Sequence, residues 1–379
     1  MFICRRFVQI GTVFLVLAGC ANTAPSGSSQ AQSSSKASTA GATSTRIGPA
    51  QPSGEPPAAL TSKGTLRVEV QMFAKSLAAE RNLPLAPIED ALTDARYNAT
   101  VARLIAPSPP GKKIWRSWNT YRARFVEPKR IKWGVEFWQE NQIVLNQAAQ
   151  RYGVPASIIA SIIGVETLYG RNMGSFRVLD ALTTLAFDYP DPNKPERAEM
   201  FRGQLADFIT LSLQDKLEIN ATGSYAGAIG MPQFMPGSIM RYAVDGDGDG
   251  HIKLNSSIND AVMSVGNFLV EHGWQRGLPV FAPVLLPADP SALATGGLTP
   301  TQTWRSLQVA GARVTAGASL GSWQDHPLGV VDLVEEARGT VQYRTATVNF
   351  FALTQYNRSY FYATAVADLA AALEARMPR

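Results

Sequence analysis

One twelve-residue stretch, Pro155 to Glu166, limits what this chain can become. It is apolar and carries isoleucine at 158, 159, 162 and 163, then closes on a single acid. Ile158, Ile162 and Glu166 are spaced by four, so on a helix the glutamate continues the apolar stripe and faces protein interior, or a cleft cut into it. Partial burial disfavours the ionised carboxylate and raises its pKa, which makes a group able to donate a proton near neutral pH. The competing reading is an exposed helix-end glutamate, or one paired with a nearby cation such as Arg171; position alone does not separate the two.

The chain has 379 residues, 45% of them apolar, enough for a substantial core and for two or three domains. Its beginning differs from the rest. Arg5 and Arg6 precede an apolar run from Phe7 to Leu17, and Leu17-Ala18-Gly19-Cys20 follows. A short basic-then-apolar segment ending in small residues reads as an export signal over residues 1–19, too brief for a membrane span. The last four residues resemble a bacterial lipoprotein processing site, which implies that Cys20 is lipidated and that the protein is anchored through lipid to a membrane of the cell envelope. Ala21 after Cys20 favours the outer membrane, with the body facing the periplasm, by sorting analogy. The plainer alternative is an ordinary export signal whose cleavage site happens to contain cysteine.

Cys4 and Cys20 are the only cysteines, so the mature chain keeps no thiol for a disulfide, a metal site or a nucleophile. Loss of residues 1–19 removes two arginines and no acids, which takes the net charge from +5 to +3. That bias suits an acidic polymer but does not argue for nucleic acid. Residues 20–60 are dominated by Ser, Ala, Thr, Gly, Pro and Gln and cannot bury enough apolar surface to fold. A flexible tether of about 40 residues spans roughly 35 Å on average.

Residues 61–130 read as a helical region, with helices around Val68 to Leu83 and Pro87 to Leu104 and an aromatic-basic stretch from Trp115 to Phe125. Residues 131–278 carry the strongest helical patterns. Trp133 to Tyr152 ends at Gly153, Pro155 opens the Glu166 helix, Asp180 reads as an N-cap, and Pro195 to Leu217 and Ser257 to His272 follow. Residues 279–345 are punctuated by Pro and Gly and contain β-leaning runs, a small β-rich insertion. Residues 346–379 close the chain with an Ala-rich helix from Arg358 to Arg376. The fold class is mainly α, of the α+β kind.

Sugar cleavage ordinarily needs two carboxylates flanking the scissile bond. No second acid occupies an apolar stripe as Glu166 does, since Asp180 reads as a cap and Asp188, Asp191 and Glu196 sit in or beside a Pro-rich loop. A one-acid mechanism is the better match. The segment Gly223 to Pro236 is rich in Gly and small residues, with Ser224 and Gln233 as polar groups, a composition that suits either a close-approach ligand loop or a tight structural turn. Asp245, Asp247, Asp249 and His251 occupy positions 1, 3, 5 and 7 of an EF-hand-like loop over 245–256, but position 12 is Ser256 instead of an acid. Clustered aspartates repel unless a cation sits among them, while the missing acid weakens chelation, so structural calcium and no calcium both stay open. The three histidines lack metal-ligand spacing, which argues against zinc hydrolysis.

Gly164-Val165-Glu166-Thr167-Leu168-Tyr169-Gly170-Arg171, then Asp180 to Leu185, Ser224 to Ala228 and Gln233 to Pro236, resemble in order the membrane-bound lytic murein transglycosylase B family. Gly250-His251-Ile252 and Tyr356-Asn357 match as well, so the likeness runs from about residue 115 to 372. The resemblance implies a lysozyme-like core that cleaves the β-1,4 bond between N-acetylmuramic acid and N-acetylglucosamine and leaves a 1,6-anhydromuramic end. It implies Glu166 as acid and then base, and Ser224, Gln233, Tyr121, Tyr189, Arg197, Tyr356 and Asn357 as substrate-binding groups. Asp191 to Pro195 lengthens the link before Arg197 relative to the family pattern, which weakens that placement. No cofactor is required. Peptidoglycan strands are the implied partner, with cell-wall synthases as candidate protein partners; a hydrolytic muramidase and a non-catalytic murein-binding lipoprotein are the rival readings.

Overall fold

The computed structural model describes residues 59–107, 115–318 and 321–377. The expected export signal, Cys20 and nearly all of the 20–60 tether lie outside those residues. No helix among the described residues is long and apolar enough to cross a membrane.

The chain begins with three helices, α1 (Val68–Arg81), α2 (Leu85–Asp94) and α3 (Ala99–Ile105). The patterns expected over Val68–Leu83 and Pro87–Leu104 are interrupted where Asn82 turns into the left-handed region and where Ala95 to Asn98 is extended before the Asn98 side chain caps α3. Next come α4 (Trp118–Phe125), α5 (Pro128–Glu140), α6 (Gln142–Tyr152) and α7 (Ala156–Thr167). The helix expected from Trp133 to Tyr152 is two helices broken at Asn141, whose side chain donates back to Phe137 O at 2.8 Å. Gly153 stops α6 at φ 69°, where a glycine meets no steric penalty.

A short strand β1 (Phe176–Arg177) leads into α8 (Val178–Phe187) and α9 (Pro195–Leu213), and β2 (Thr222–Gly223) pairs back antiparallel onto β1. Asp180 is not the N-cap of α8. Arg177 holds that position, and Asp180 lies inside the first turn, where its carboxylate accepts from Arg96 N at 2.9 Å and pairs with Arg177 at 3.2 Å. Helices α10 (Pro236–Tyr242) and α11 (Ile258–Glu271) complete this part. Ser257 caps α11 through its hydroxyl, and Gly273 at φ 90° follows its end.

The stretch expected to be β-rich holds β3 (Val284–Leu285), α12 (Trp304–Val309), β4 (Arg313–Val314), β5 (Gly329–Glu335) and β6 (Thr340–Ala346). Its strands form two antiparallel pairs, β3 with β4 and β5 with β6. Trp304, Leu307, Trp323, Leu328 and Val330 are buried together there as a cluster of their own. The expected closing helix is preceded by another, because α13 (Val348–Tyr356) is separated from α14 (Tyr360–Glu374) by a break at Asn357 to Ser359.

Helix α7 is the centre. It packs against α5, α6, α11 and α14, and every residue of it is buried except Glu166. Burial of its four isoleucines, worth roughly 1.5–3 kcal/mol each, anchors the core. The apolar stripe is therefore a helix buried on all sides, which spacing alone does not distinguish from a one-sided one. Helix α1 is tied on at both ends by ion pairs: Arg67 with Asp188 and Arg81 with Asp207, both at 2.8 Å.

Close approach at the end of α7 depends on glycine. The Tyr169 ring is wedged between Phe137, at 5.4 Å between centroids, and the backbones of Gly134 and Gly164. A Cβ on Gly164 would stand 2.4 Å from Tyr169 Cζ. Gly164→Ala is expected to cost about 1–3 kcal/mol through overpacking, measured as a lower midpoint in urea at unchanged slope.

Candidate active site

Glu166 occupies the last turn of α7, and the chain leaves the helix through two successive left-handed residues, Leu168 at φ 53° and Tyr169 at φ 60°. Such backbone is costly for side chains other than glycine and persists only when surrounding structure enforces it. Several contacts do so. Thr167 Oγ1 donates to Met231 O at 3.0 Å and accepts from Gly170 N at 3.0 Å. The buried Arg130 guanidinium donates to Gly164 O, which also accepts from Leu168 N at 3.2 Å, and to Arg124 O at 3.2 Å.

The Glu166 side chain keeps a little contact with solvent, but its carboxyl is walled in, and burial lifts its pKa to about 7. Its position in the last turn acts in the same direction, since the negative end of the helix dipole disfavours an anion. One interaction opposes the rise: Tyr362 Oη, from α14, donates to Glu166 Oε1 at 2.6 Å. Among the described residues no other carboxylate contributes to the shift.

Three tyrosines feel the Glu166 charge. Tyr362 and Tyr356 are buried, stack at 6.2 Å with 13° between their planes, and are pushed well above the ordinary phenol range, first by burial and then by Glu166. Tyr121 is raised for the same two reasons and packs against Phe125 and Phe361. All three remain neutral hydrogen-bonding groups beside the acid.

The loop of small residues is held close to the same point. Tyr356 Oη donates to Pro232 O at 2.5 Å, and Met231 is tied to Thr167, the residue after Glu166. Gln233 sits at φ 51°, and its amide donates to Met173 O and Gly230 O. Ser224 Oγ accepts from Ala228 N at 3.0 Å and Ala226 N at 3.3 Å, so its own hydrogen stays free to donate. Isolated bridges from Ile229 to Gly223 and to Phe234 hold the Ser224 and Gln233 arms of the loop together. Asn357, half-buried, directly follows Tyr356. Tyr189 and Arg197 form a pair of their own between α8 and α9, with Arg197 Nε donating to the phenol at 3.3 Å.

In the acidic loop, the oxygens of Asp245, Asp247 and Asp260 converge within 4.8 Å. Asp249 instead pairs with Lys253 at 2.5 Å, and His251 N donates to Asp249 Oδ1. Asp260, in the first turn of α11, is fully buried and accepts from Gly246 N at 2.8 Å and Lys253 N at 2.6 Å, so it clasps both sides of the loop.

Sequence reasoning missed two groups. Tyr362 lies in an Ala-rich helix far along the chain, and only the packing of α14 on α7 marks it. Asp260 lies beyond the twelve-residue loop pattern; its one signal was an acid three residues after the Ser257 cap.

Comparison with known proteins agrees with this geometry. Residues 66–371 match the family described as the transglycosylase SLT domain. The chain is 37% identical over 313 residues to membrane-bound lytic murein transglycosylase B of Escherichia coli, a match covering 80% of this chain and 82% of that protein. The Escherichia coli lytic transglycosylase Slt35, solved in complex with calcium, superposes with a TM-score of 0.69 at 36% identity, covering 81% of this chain and 93% of that one. SltB3 from Pseudomonas aeruginosa, solved with NAG-NAM-pentapeptide, superposes with a TM-score of 0.69 at 26% identity, covering 81% of this chain and 79% of that one. The mainly α architecture is thus the lysozyme-like fold of these neighbours, and the chain belongs to the transglycosylase SLT family.

Proposed function

We propose that this protein cleaves the β-1,4 bond between N-acetylmuramic acid and N-acetylglucosamine in peptidoglycan and closes a 1,6-anhydro ring on the muramic residue. The observation that carries the reading is a buried carboxyl with a pKa of about 7 and no second carboxylate acting on it among the described residues. Glu166 begins protonated and donates to the glycosidic oxygen as the C1–O bond breaks. The resulting carboxylate, now accepting from Tyr362, takes the proton from the muramic C6 hydroxyl as O6 bonds to C1. No water is added, and the acid ends protonated for the next cycle. A group near its own pKa gives and receives a proton with little free-energy difference, which suits one residue in both roles. Ser224, Gln233, Tyr121, Tyr356 and Asn357 orient the sugars, and Tyr189 and Arg197, bonded to each other, are assigned to the strand with them.

The named activity of the Escherichia coli relative places the work at the cell envelope. Lipid at Cys20 would hold the chain to the outer membrane, facing the periplasm.

Calcium fits the acidic loop as a structural ion, a reading supported by a solved relative, Slt35, being a complex with calcium. Asp260 is buried without an ion pair among the described residues, and buried charges are ordinarily paired or coordinate metals. Asp245, Asp247 and Asp260 would hold the ion, whose charge would offset theirs. Saturating calcium at about 100 times Kd should then add roughly 2.7 kcal/mol of stability, read as a higher Tm that EGTA reverses. Asp260→Asn should lose that increment; a calcium-independent Tm in the parent protein would remove the ion from the account.

Glu166→Gln is expected to lower turnover of purified sacculi by about 10²- to 10⁴-fold while binding persists. Mass spectrometry of the parent's products should give anhydro ends, one water lighter than hydrolytic ones. Heavier, reducing ends would instead make the protein a muramidase.

Tyr362→Phe removes the hydrogen bond that favours the Glu166 carboxylate. The acid's pKa then rises further, so the alkaline limb of the pH–rate profile should move up from its position near pH 7. A limb that stays or moves down would contradict the assigned role of the phenol.

A further inference from the structure

Beside the Ser224 loop lies a cavity of about 570 Å³, walled by residues 215–219 after α9 and by residues 251–256 of the acidic loop. Ala221 and Ile229, which bracket the Ser224 turn, form part of its wall, yet none of its lining takes part in the Glu166 chemistry. Its surface is mixed. Leu217, Ile219, Ile252 and Leu254 supply apolar area, and Lys216, Asp215 and Glu218 stand around them.

Those three charges enter no ion pair among the described residues, unlike Lys253 nearby, which is held by Asp249. Two polar atoms in the same wall, Ser212 Oγ and Asn255 Oδ1, are buried without any hydrogen-bond partner. Asp215, at the lip, is held in the left-handed region at φ 54°, a conformation that persists where surrounding structure enforces it.

The chemistry of the cavity selects among ligands. A sugar would call for a flat aromatic platform, and no aromatic ring other than the imidazole of His251 lines it. A phosphate polymer would call for cations without acids, whereas both signs are present here. A carboxylate suits Lys216, an ammonium suits Glu218 or Asp215, and small apolar side chains suit the leucine and isoleucine floor. That combination describes a short zwitterionic peptide.

We propose that this cavity is a binding site for the peptide carried on the glycan strand, separate from the subsites at the scissile bond. The proposal rests on the peptidoglycan reading above, and the peptide in question is of the kind present in NAG-NAM-pentapeptide. Peptide bound there would press on the segment between Ala221 and Ile229 and so bear on the Ser224 turn, which links peptide status to sugar placement.

The test titrates free pentapeptide into the full chain by calorimetry and, in parallel, measures cleavage of peptide-free glycan strands. The parent should bind the peptide saturably. Lys216→Ala should weaken binding about tenfold, the loss of one charge-assisted hydrogen bond. Leu217→Trp, which fills the cavity, should remove binding, while both variants cut peptide-free strands at the parent's rate. Absence of peptide binding in the parent, or parent-like affinity in both variants, would overturn the site. Variants that also lose cleavage of peptide-free strands would likewise overturn it, by making the cavity part of the sugar cleft. Failure of the peptidoglycan reading would show differently, as a parent protein that cuts no strands at all.

Discussion

Everything at the active site depends on one carboxyl placed at the only opening in a helix that is otherwise enclosed. Burial raises the Glu166 pKa to about 7, and the phenol of Tyr362, 196 residues further along the chain, opposes that rise. The two effects set the proton affinity together. Without Tyr362 the group would be a weaker acid; without enclosure by α5, α6, α11 and α14 it would be an ordinary surface glutamate, ionised at neutral pH and unable to protonate a leaving group. The lysozyme-like core is thus the apparatus that keeps a single side chain near half-protonation.

That arrangement works against stability. A carboxylic acid raised from 4.5 to about 7 in the folded state favours the protonated form, so the fold is penalised as pH rises from about 4.5 through 7, to an extent of roughly 3 kcal/mol above that range. The left-handed residues Leu168 and Tyr169 after α7, and Gln233 in the small-residue loop, act in the same direction. The compensation is visible around it: the four isoleucines of α7, the Tyr169 ring lodged against Gly134 and Gly164, and the Arg130 and Thr167 hydrogen bonds that close the helix end.

How much of this could be read from the sequence follows from the range of the forces involved. Local signals were legible. Pro155, Gly153 and Gly273 mark helix ends because their backbone preferences act within a few residues, and Glu166 stood out because a charge in an apolar run is a local contradiction. Other features were local and still misread: Asp180 has the residue type of an N-cap, but a long-range bond from Arg96 N and a pair with Arg177 claimed its carboxylate inside the helix. The break at Asn141, by contrast, needed only its own side chain, bonded to Phe137 O four residues back, and leaves little trace in hydrophobic spacing. Tyr362 and Asp260 were illegible because each owes its role to tertiary packing, the one to α14 lying on α7, the other to the start of α11 closing back onto the acidic loop. Spacing also failed to separate a striped helix from a wholly enclosed one, since both satisfy the same four-residue repeat.

The loop from Gly223 to Pro236 shows why the site is built from such distant pieces. A one-acid mechanism has no second carboxylate to stabilise charge that develops on the sugar, so positioning must carry more of the work. The Gln233 arm is accordingly fixed from three directions: to α7 through Thr167, to α13 through Tyr356, and to the acidic loop through Met231 N, which donates to Leu254 O at 2.9 Å. Each tie ends on backbone, so the Ser224 side chain is aimed by its own turn and that of Gln233 by Gly230 O and Met173 O. A displacement of the acidic loop would therefore reach the sugar subsites through Leu254 and Met231 with no side chain of the cleft being touched, and the same Met231 is bonded to the residue beside the acid. The geometry of the Glu166 carboxyl and that of the small-residue loop are set by a shared backbone segment, which is what the proposed mechanism of one proton carrier and two consecutive transfers requires.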